Sequence, residues 1–259
     1  MCSRSVIGSL LGSLLISTLA FAQGPPPSDP QAIAFALQSI SAMTAGTAIS
    51  DVTLTGNATW YVSGTDTGAA TLRALGTGES RMDLAITSGT RTEIRDSQTG
   101  APIGQWTNPD GSTGLFVFQN CQTDAVWFFP VLGSLAAGPN VVLSYIGQET
   151  RNGESVQHIR SYVYQSNPPP GISTQQLSTM DFYLDATSLL PVATVFNSYT
   201  NTGNTSISVE VDFSNYQSLS GALVPTHIQR YSQGNLLTDV TVSGASFNTG
   251  LPLSLFSIN

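Results

Sequence analysis

In the stretch DVTLTGNATWYV, residues 51–62, Val52, Leu54, Ala58, Trp60 and Val62 alternate with Thr53, Thr55, Asn57, Thr59 and Tyr61. A period of two sends the two sets to opposite faces of an extended chain, which marks a half-buried β-strand. The pattern continues C-terminally in short strands at about 69–75, 80–87 and 90–96, split by Gly76-Thr77-Gly78 and Ser88-Gly89. Met82, Leu84 and Ile86 share one face there, with Arg81 and Asp83 on the other. Arg91, Glu93 and Arg95 also share a face, and three charges in a row predict a solvated one.

N-terminal to residue 51 the period is helical. Asp29-Pro30 offers an N-cap followed by proline at the first helical position. Ile33, Ala36, Leu37, Ile40 and Met43 then recur at helical spacing over about 31–46. Between Asp29 and Asp51 there is no charged residue, so this helix is expected to pack against the sheet. A second helical segment is predicted over 118–137, where Phe118, Cys121, Ala125, Phe128, Leu132 and Leu135 form a stripe; Pro130 would kink it. The intervening residues 100–114, with the turn Asn108-Pro109-Asp110-Gly111, read as loop.

Strands return at 141–151 and 155–164 around Asn152-Gly153, a strong hairpin signal. Further alternating runs lie at 180–185, 190–196, 207–213, 224–232 and 236–247. The total is about ten or eleven strands. Crossover helices are absent between them, which excludes a parallel α/β fold. The expected fold class is mainly β: a large curved antiparallel sheet or incomplete β-barrel, covered by two apolar helical segments.

Composition narrows the function classes. Arg4, the apolar stretch 6–19 and Ala20-Phe21-Ala22 read as a signal peptide over residues 1–22, cleaved between Ala22 and Gln23. Residues 23–30 form a proline-rich leader, and 31–259 one β domain. The expected location is periplasmic or secreted. No other segment is long and apolar enough to span a bilayer as a helix. Cleavage removes Cys2, so the mature chain keeps only Cys121 and needs no disulfide in its fold. The chain has no lysine, and with Arg4 removed seven arginines face 16 acidic residues. That balance excludes nucleic acid as a natural partner.

Chemistry-bearing motifs are sparse. His158 and His227 lack a second ligand at metal spacing, so no metal is predicted. A Gly-x-Ser-x-Gly elbow is missing, and Cys121 reads as a small core residue, so no catalytic residue and no cofactor are predicted. Asp181, Asp185, Glu210 and Asp212 could form a hydrolytic carboxylate pair only if two converge in a cleft. Their alternation with apolar residues places them on a solvated face. Large apolar side chains stand out instead: Trp60, Met82, Leu84, Phe182, Phe196 and Phe213 from strands, and Trp127 and Phe128 from the second helical segment. They form either a dry core or the lining of an apolar cavity.

The C-terminal third carries a family pattern. A strand ends in Asp185; Leu190-Pro191 makes a turn; Tyr216, Gly221 and Pro225 form a Tyr-x(4)-Gly-x(3)-Pro block; Asn248 and Leu251 close the chain. These elements resemble the outer-membrane lipoprotein-sorting proteins, relatives of the periplasmic carrier LolA and its acceptor LolB. The resemblance implies an incomplete antiparallel barrel closed by helices, with an apolar interior for acyl chains. It also implies an early-strand arginine that holds the helical lid, here Arg73 or Arg81. The mature chain lacks an N-terminal lipid-attachment cysteine, unlike a LolB-type acceptor. The expected function is therefore a non-catalytic exported protein that binds a lipid or lipoprotein acyl chain. The alternative is a cell-envelope interaction module with a packed core.

Overall fold

The computed structural model describes residues 24–62, 64–98, 102–123, 138, 140–168, 173–200 and 205–258. After helix α1 (Pro30–Thr44) come β1 (Asp51–Trp60), β2 (Asp66–Leu75), β3 (Ser80–Ile86), β4 (Gly89–Asp96), β5 (Ile103–Thr107) and β6 (Thr113–Leu115). A 3-10 turn, Phe118–Cys121, follows. The second half holds β7 (Val141–Arg151), β8 (Glu154–Val163), the short helix α2 (Thr174–Ser178), β9 (Met180–Asp185), β10 (Pro191–Tyr199), β11 (Ser206–Leu219), β12 (Ala222–Ser232) and β13 (Asn235–Phe247). A last 3-10 turn spans Leu253–Phe256.

All 13 strands join one antiparallel sheet in the order β6-β5-β4-β3-β2-β1-β13-β12-β11-β10-β9-β8-β7. The first six strands and the last seven are two meanders, sewn together where β1 pairs with β13. Register shifts at this seam, between Thr55 and Gly56. A β-carbon on Gly56 would lie 2.0 Å from the Thr241 carbonyl oxygen, so only glycine allows the two backbones to approach there. Bulges bend a sheet, and this one sits at its middle. The sheet curls far enough that Glu93 of β4 meets Arg230 of β12, five strands away.

The inner face is apolar across its width. Val52, Leu54, Leu72, Met82 and Leu84 bury there from the first meander; Ile159, Phe182, Phe196, Val211, Phe213, Ile228 and Val240 bury from the second. Helix α1 lies over this face, touching β7 and β12. Asp29 caps it by accepting from the Gln31 N–H at 2.8 Å, and Ala45 ends it in the left-handed region at φ 50°. Its start is tied to the edge strand: Asp29 N–H donates to the Leu143 carbonyl at 2.8 Å, and Leu143 N–H donates to Ser28 Oγ at 3.0 Å.

The helix seats on most of the face its periodicity suggests, with one exception at Leu37. Ala32, Ala36, Ser39 and Met43 are buried against the sheet, whereas Leu37 is 57% exposed. Small side chains let the helix axis come close, and Ile33, Phe35 and Ile40 pack along its flanks. Phe35 meets Tyr145 of β7 with ring centroids 5.3 Å apart.

Two strands and a helix depart from the sequence expectation. β5 and β6 occupy part of the stretch read as loop; a five- and a three-residue strand carry too few alternations to register. Residues 118–121, expected to open two short helices or one bent at Pro130, form a 3-10 turn instead. Residues 124–137 of that expected segment, with Trp127, Phe128 and Pro130, lie outside the described residues, as does the signal region. The second described helix is α2, capped by Ser173, which accepts from the Gln176 N–H at 3.2 Å.

Candidate functional site

The six strand residues singled out from the sequence, Trp60, Met82, Leu84, Phe182, Phe196 and Phe213, all belong to one inner-face cluster. Leu84 and Phe182 are completely buried in it. Phe196 lines a cavity at one end of this face, and Met82 lines a smaller cleft with Ile228, Arg230, Thr238 and Val240.

The same end carries charge. In the β3–β4 pairing Met82 stands opposite Glu93, and Leu84 opposite Arg91. Residues directly opposite in an antiparallel pair share a face. Arg91 and Glu93 are therefore inward, and their side chains keep only 8% and 12% of their exposure. This corrects the solvated face expected for them: a strand's alternation fixes which residues go together, and the partner strand fixes where. Arg91 donates to Glu93 Oε1 at 2.6 Å and to Asn108 Oδ1 at 2.7 Å. Its guanidinium also lies over the rings of Trp60 and Trp106, at 5.4 and 5.6 Å from their centroids. Arg230, from the far side of the curl, donates to Glu93 Oε2 at 3.2 Å. Burial alone would raise the Glu93 carboxyl, but the charges of Arg230 and Arg91 outweigh it and hold the group below its ordinary value.

The cavity beside this cluster is small, about 80 Å³, and opens to solvent. Phe116, Cys121 and Phe196 supply apolar wall; Ser80, Arg95 and Arg230 supply polar wall. A strap closes one side. Phe116 N–H donates to the Gly104 carbonyl at 2.8 Å. Asn120 donates to the Tyr199 carbonyl at 3.0 Å and accepts from its N–H at 2.6 Å. The strap thus reaches from β5 to β10, across the mouth of the curl. Arg95 supports it through a 3.0 Å bond to the Cys121 carbonyl. Burial pushes the Cys121 thiol up, against a smaller downward pull from Arg95, so it stays a neutral wall group.

Arg73 and Arg81, the positions to which the family resemblance assigned a lid-holding arginine, lie on the outer face. Both pair with Asp83 at 2.9 Å, and Arg81 also donates to the Leu255 carbonyl. Arg81 thereby braces the C-terminal turn. The inward arginines are Arg91, Arg95 and Arg230.

Outer-face polar residues form ladders. Asp181 pairs with His158 at 2.8 Å and Arg160 at 2.8 Å, and these partners overcome the effect of burial and keep it below its ordinary value. Asp185 caps its own turn, accepting from Ser188 N–H and Oγ, each at 2.7 Å. Asp212 is pushed up to about 7, first by burial and then by Glu210, with Arg151 opposing. Asp185 and Asp212 line one wide outer groove, but Asp185 Oδ1 is taken up by its turn. His227 bridges Asp239 at 2.9 Å and Ser214 at 3.3 Å, a row the sequence did not reveal because its members come from three strands. Ser214 is exposed, and Asp239 is shared with Gln229 at 2.8 Å. Among the described residues no group of three or more His, Cys, Asp or Glu could hold a metal ion.

The motifs of the C-terminal third prove architectural. The Tyr216 hydroxyl donates to the Pro191 carbonyl at 2.7 Å, Gly221 turns the β11–β12 hairpin at φ 90°, and Asn248 accepts from the Ser50 N–H at 2.7 Å.

No family model and no curated protein matches the chain. Solved structures do. A domain described as outer-membrane lipoprotein-sorting from Vibrio parahaemolyticus superposes with a TM-score of 0.53 at 14% identity, covering 86% of this chain and 95% of that one. A LolA superfamily protein from Nitrosomonas europaea gives 0.52 at 10%, covering 88% and 97%. A DUF1329 family protein from Desulfovibrio piger gives 0.52 at 10%, covering 90% and 98%. At these identities the likeness establishes the fold, which is LolA-like.

Proposed function

We propose that this LolA-like chain is an exported, non-catalytic protein of the bacterial periplasm or envelope that binds an apolar ligand, a lipid or lipoprotein acyl chain, against the inner face of its sheet. Residues 1–22 serve as the signal, cleaved between Ala22 and Gln23; 23–30 are a leader to a single domain, 31–259. The observation that carries the reading is the inner face itself. It is apolar over most of its width, belongs to a sheet whose end strands β6 and β7 are not neighbours, and lies under a helix without charge. A periplasmic carrier needs such a surface, shielded when empty. Helix α1 is suited to be the movable cover. It meets the floor through Ala32, Ala36 and Ser39, and the Ser39 hydroxyl is buried without a hydrogen-bond partner among the described residues. A buried unsatisfied hydroxyl weakens the seat by about 1–3 kcal/mol. The names of two structural neighbours, a lipoprotein-sorting domain and a LolA superfamily protein, support the same ligand class.

The complete burial of Leu84 and Phe182 favours a second reading, an envelope interaction module whose core is filled. Native mass spectrometry of the protein, exported with its signal and purified without detergent, separates the two. Bound mass that organic solvent strips away as lipid supports the carrier. A single bare species beginning at Gln23, unchanged after incubation with phospholipid vesicles, supports the module.

A further inference from the structure

Arg91, Glu93, Arg95 and Arg230 bring charge to one end of a mostly apolar face, and three donors there are buried without acceptors among the described residues: Arg91 Nε, Arg230 Nε and the Thr238 hydroxyl. Arg230 spends one N–H on Glu93, while its Nε is buried without a partner among the described residues. Thr238 stands opposite Arg230 in the β12–β13 ladder, and its hydroxyl is likewise buried and unpartnered. Both line the cleft floored by Met82, Ile228 and Val240; Arg230 also lines the larger cavity walled by Phe116 and Phe196. Buried donors without acceptors are costly, and adjacent ones from two strands mark the place of a missing oxygen-rich group. The charge agrees. Two guanidinium groups, Arg91 and Arg230, share the single carboxylate of Glu93, so these three largely buried groups together carry one net positive charge.

We infer that the ligand is an anionic amphiphile: a carboxylate or phosphate monoanion whose head is bound by Arg230 and Thr238 and whose apolar chain runs along Phe196 and Phe116. The inference rests on the apolar-ligand reading and specifies its chemical class. A monoanion offsets the surplus charge of the Arg91, Glu93 and Arg230 group while Arg91 stays on Glu93. Nothing is displaced except the 3.2 Å contact between Arg230 and Glu93, which loosens as Arg230 turns to the head. A neutral amphiphile leaves both donors unsatisfied and gains only the burial of its chain.

The test is displacement of a neutral apolar dye, N-phenyl-1-naphthylamine, from the full mature chain by decanoate, decyl phosphate or 1-decanol. The two anions are expected to displace the dye at concentrations about tenfold lower than the alcohol, the ratio expected for one charge-assisted hydrogen-bonded contact. In Arg230→Gln that preference falls to within about twofold, and Arg230→Lys restores part of it. Acetate and inorganic phosphate, offering the head without a chain, leave the displacement curves unchanged. Equal potency of decanoate and decanol on the wild-type chain overturns the head-group assignment and leaves the apolar-ligand reading standing. So does a preference that survives in a folded Arg230→Gln variant. Competition by acetate or phosphate alone overturns the amphiphile in favour of a small free anion. Failure of the dye and of every amphiphile to bind overturns both readings.

Discussion

The two faces of this sheet treat a carboxylate in opposite ways. On the inner face Glu93 lies between Arg91 and Arg230 and is held ionised despite burial. On the outer face Glu210 and Asp212, two residues apart on β11, share Arg151, and Asp212 is pushed up to about 7. Residue types and spacing are alike in the two clusters: an alternating strand brings charges to one face, and an arginine arrives from elsewhere. The number of cations per carboxylate differs, and that ratio decides whether burial or Coulomb attraction wins. A buried site with surplus guanidinium can receive an anion; one with surplus carboxylate stores a proton.

The comparison can be broken at several strengths. Phe182→Ala removes a fully buried ring from the inner face and is expected to destabilise by about 4 kcal/mol, read from urea unfolding. A loss under about 1 kcal/mol would mean that the inner face is not a continuous packed floor. Glu93→Ala leaves two guanidinium groups near one another without their shared carboxylate, and about 3 kcal/mol is expected to go. An effect near zero would show that the inner cluster is hydrated like a surface pair. On the outer face, Asp212 keeps a proton in the folded chain that the unfolded chain releases between about pH 4 and 7. Stability therefore falls as pH rises through that window, by at most about 1.4 kcal/mol per unit from this group. Asp212→Asn should flatten that slope between pH 5 and 7 in urea midpoints, whereas an unaltered slope would assign the titration elsewhere. The smallest effect belongs to Leu37→Ser on α1. Its side chain points away from the floor, so the change should stay within about 0.5 kcal/mol. A large loss would return Leu37 to the packed face, where the periodicity places it.

Legibility followed the length of the repeating signal. The long alternating runs of β1, β7, β11 and β13 were readable strands, and Asp29-Pro30 marked the start of α1 to the residue. β5 and β6 were missed because strands of five and three residues hold two or three alternations at most. The choice of face on α1 was only half readable. Periodicity ranks residues by size and polarity, but a helix that packs close turns its small side chains down, and Leu37 is left outside. The apolar residues proposed as a lining did gather on one face. Of the residues that give that face its chemistry, the alternation of Arg91 and Glu93 signals a solvated face, and Arg230 carries no local signal at all.

The sequence by itself determined that the chain alternates, that its turns fall where Asn152-Gly153 and Gly221 place them, and that its strands must pair antiparallel. Those properties are local: they depend on a residue's neighbours within a few positions and on backbone sterics. Only the tertiary structure decided which face is inside for each strand and how far the sheet curls. It also decided that Glu93 and Arg230, 137 residues apart, meet over the same cavity. Register between strands and curvature of the whole sheet are sums over many pairings, and no single stretch of chain encodes them.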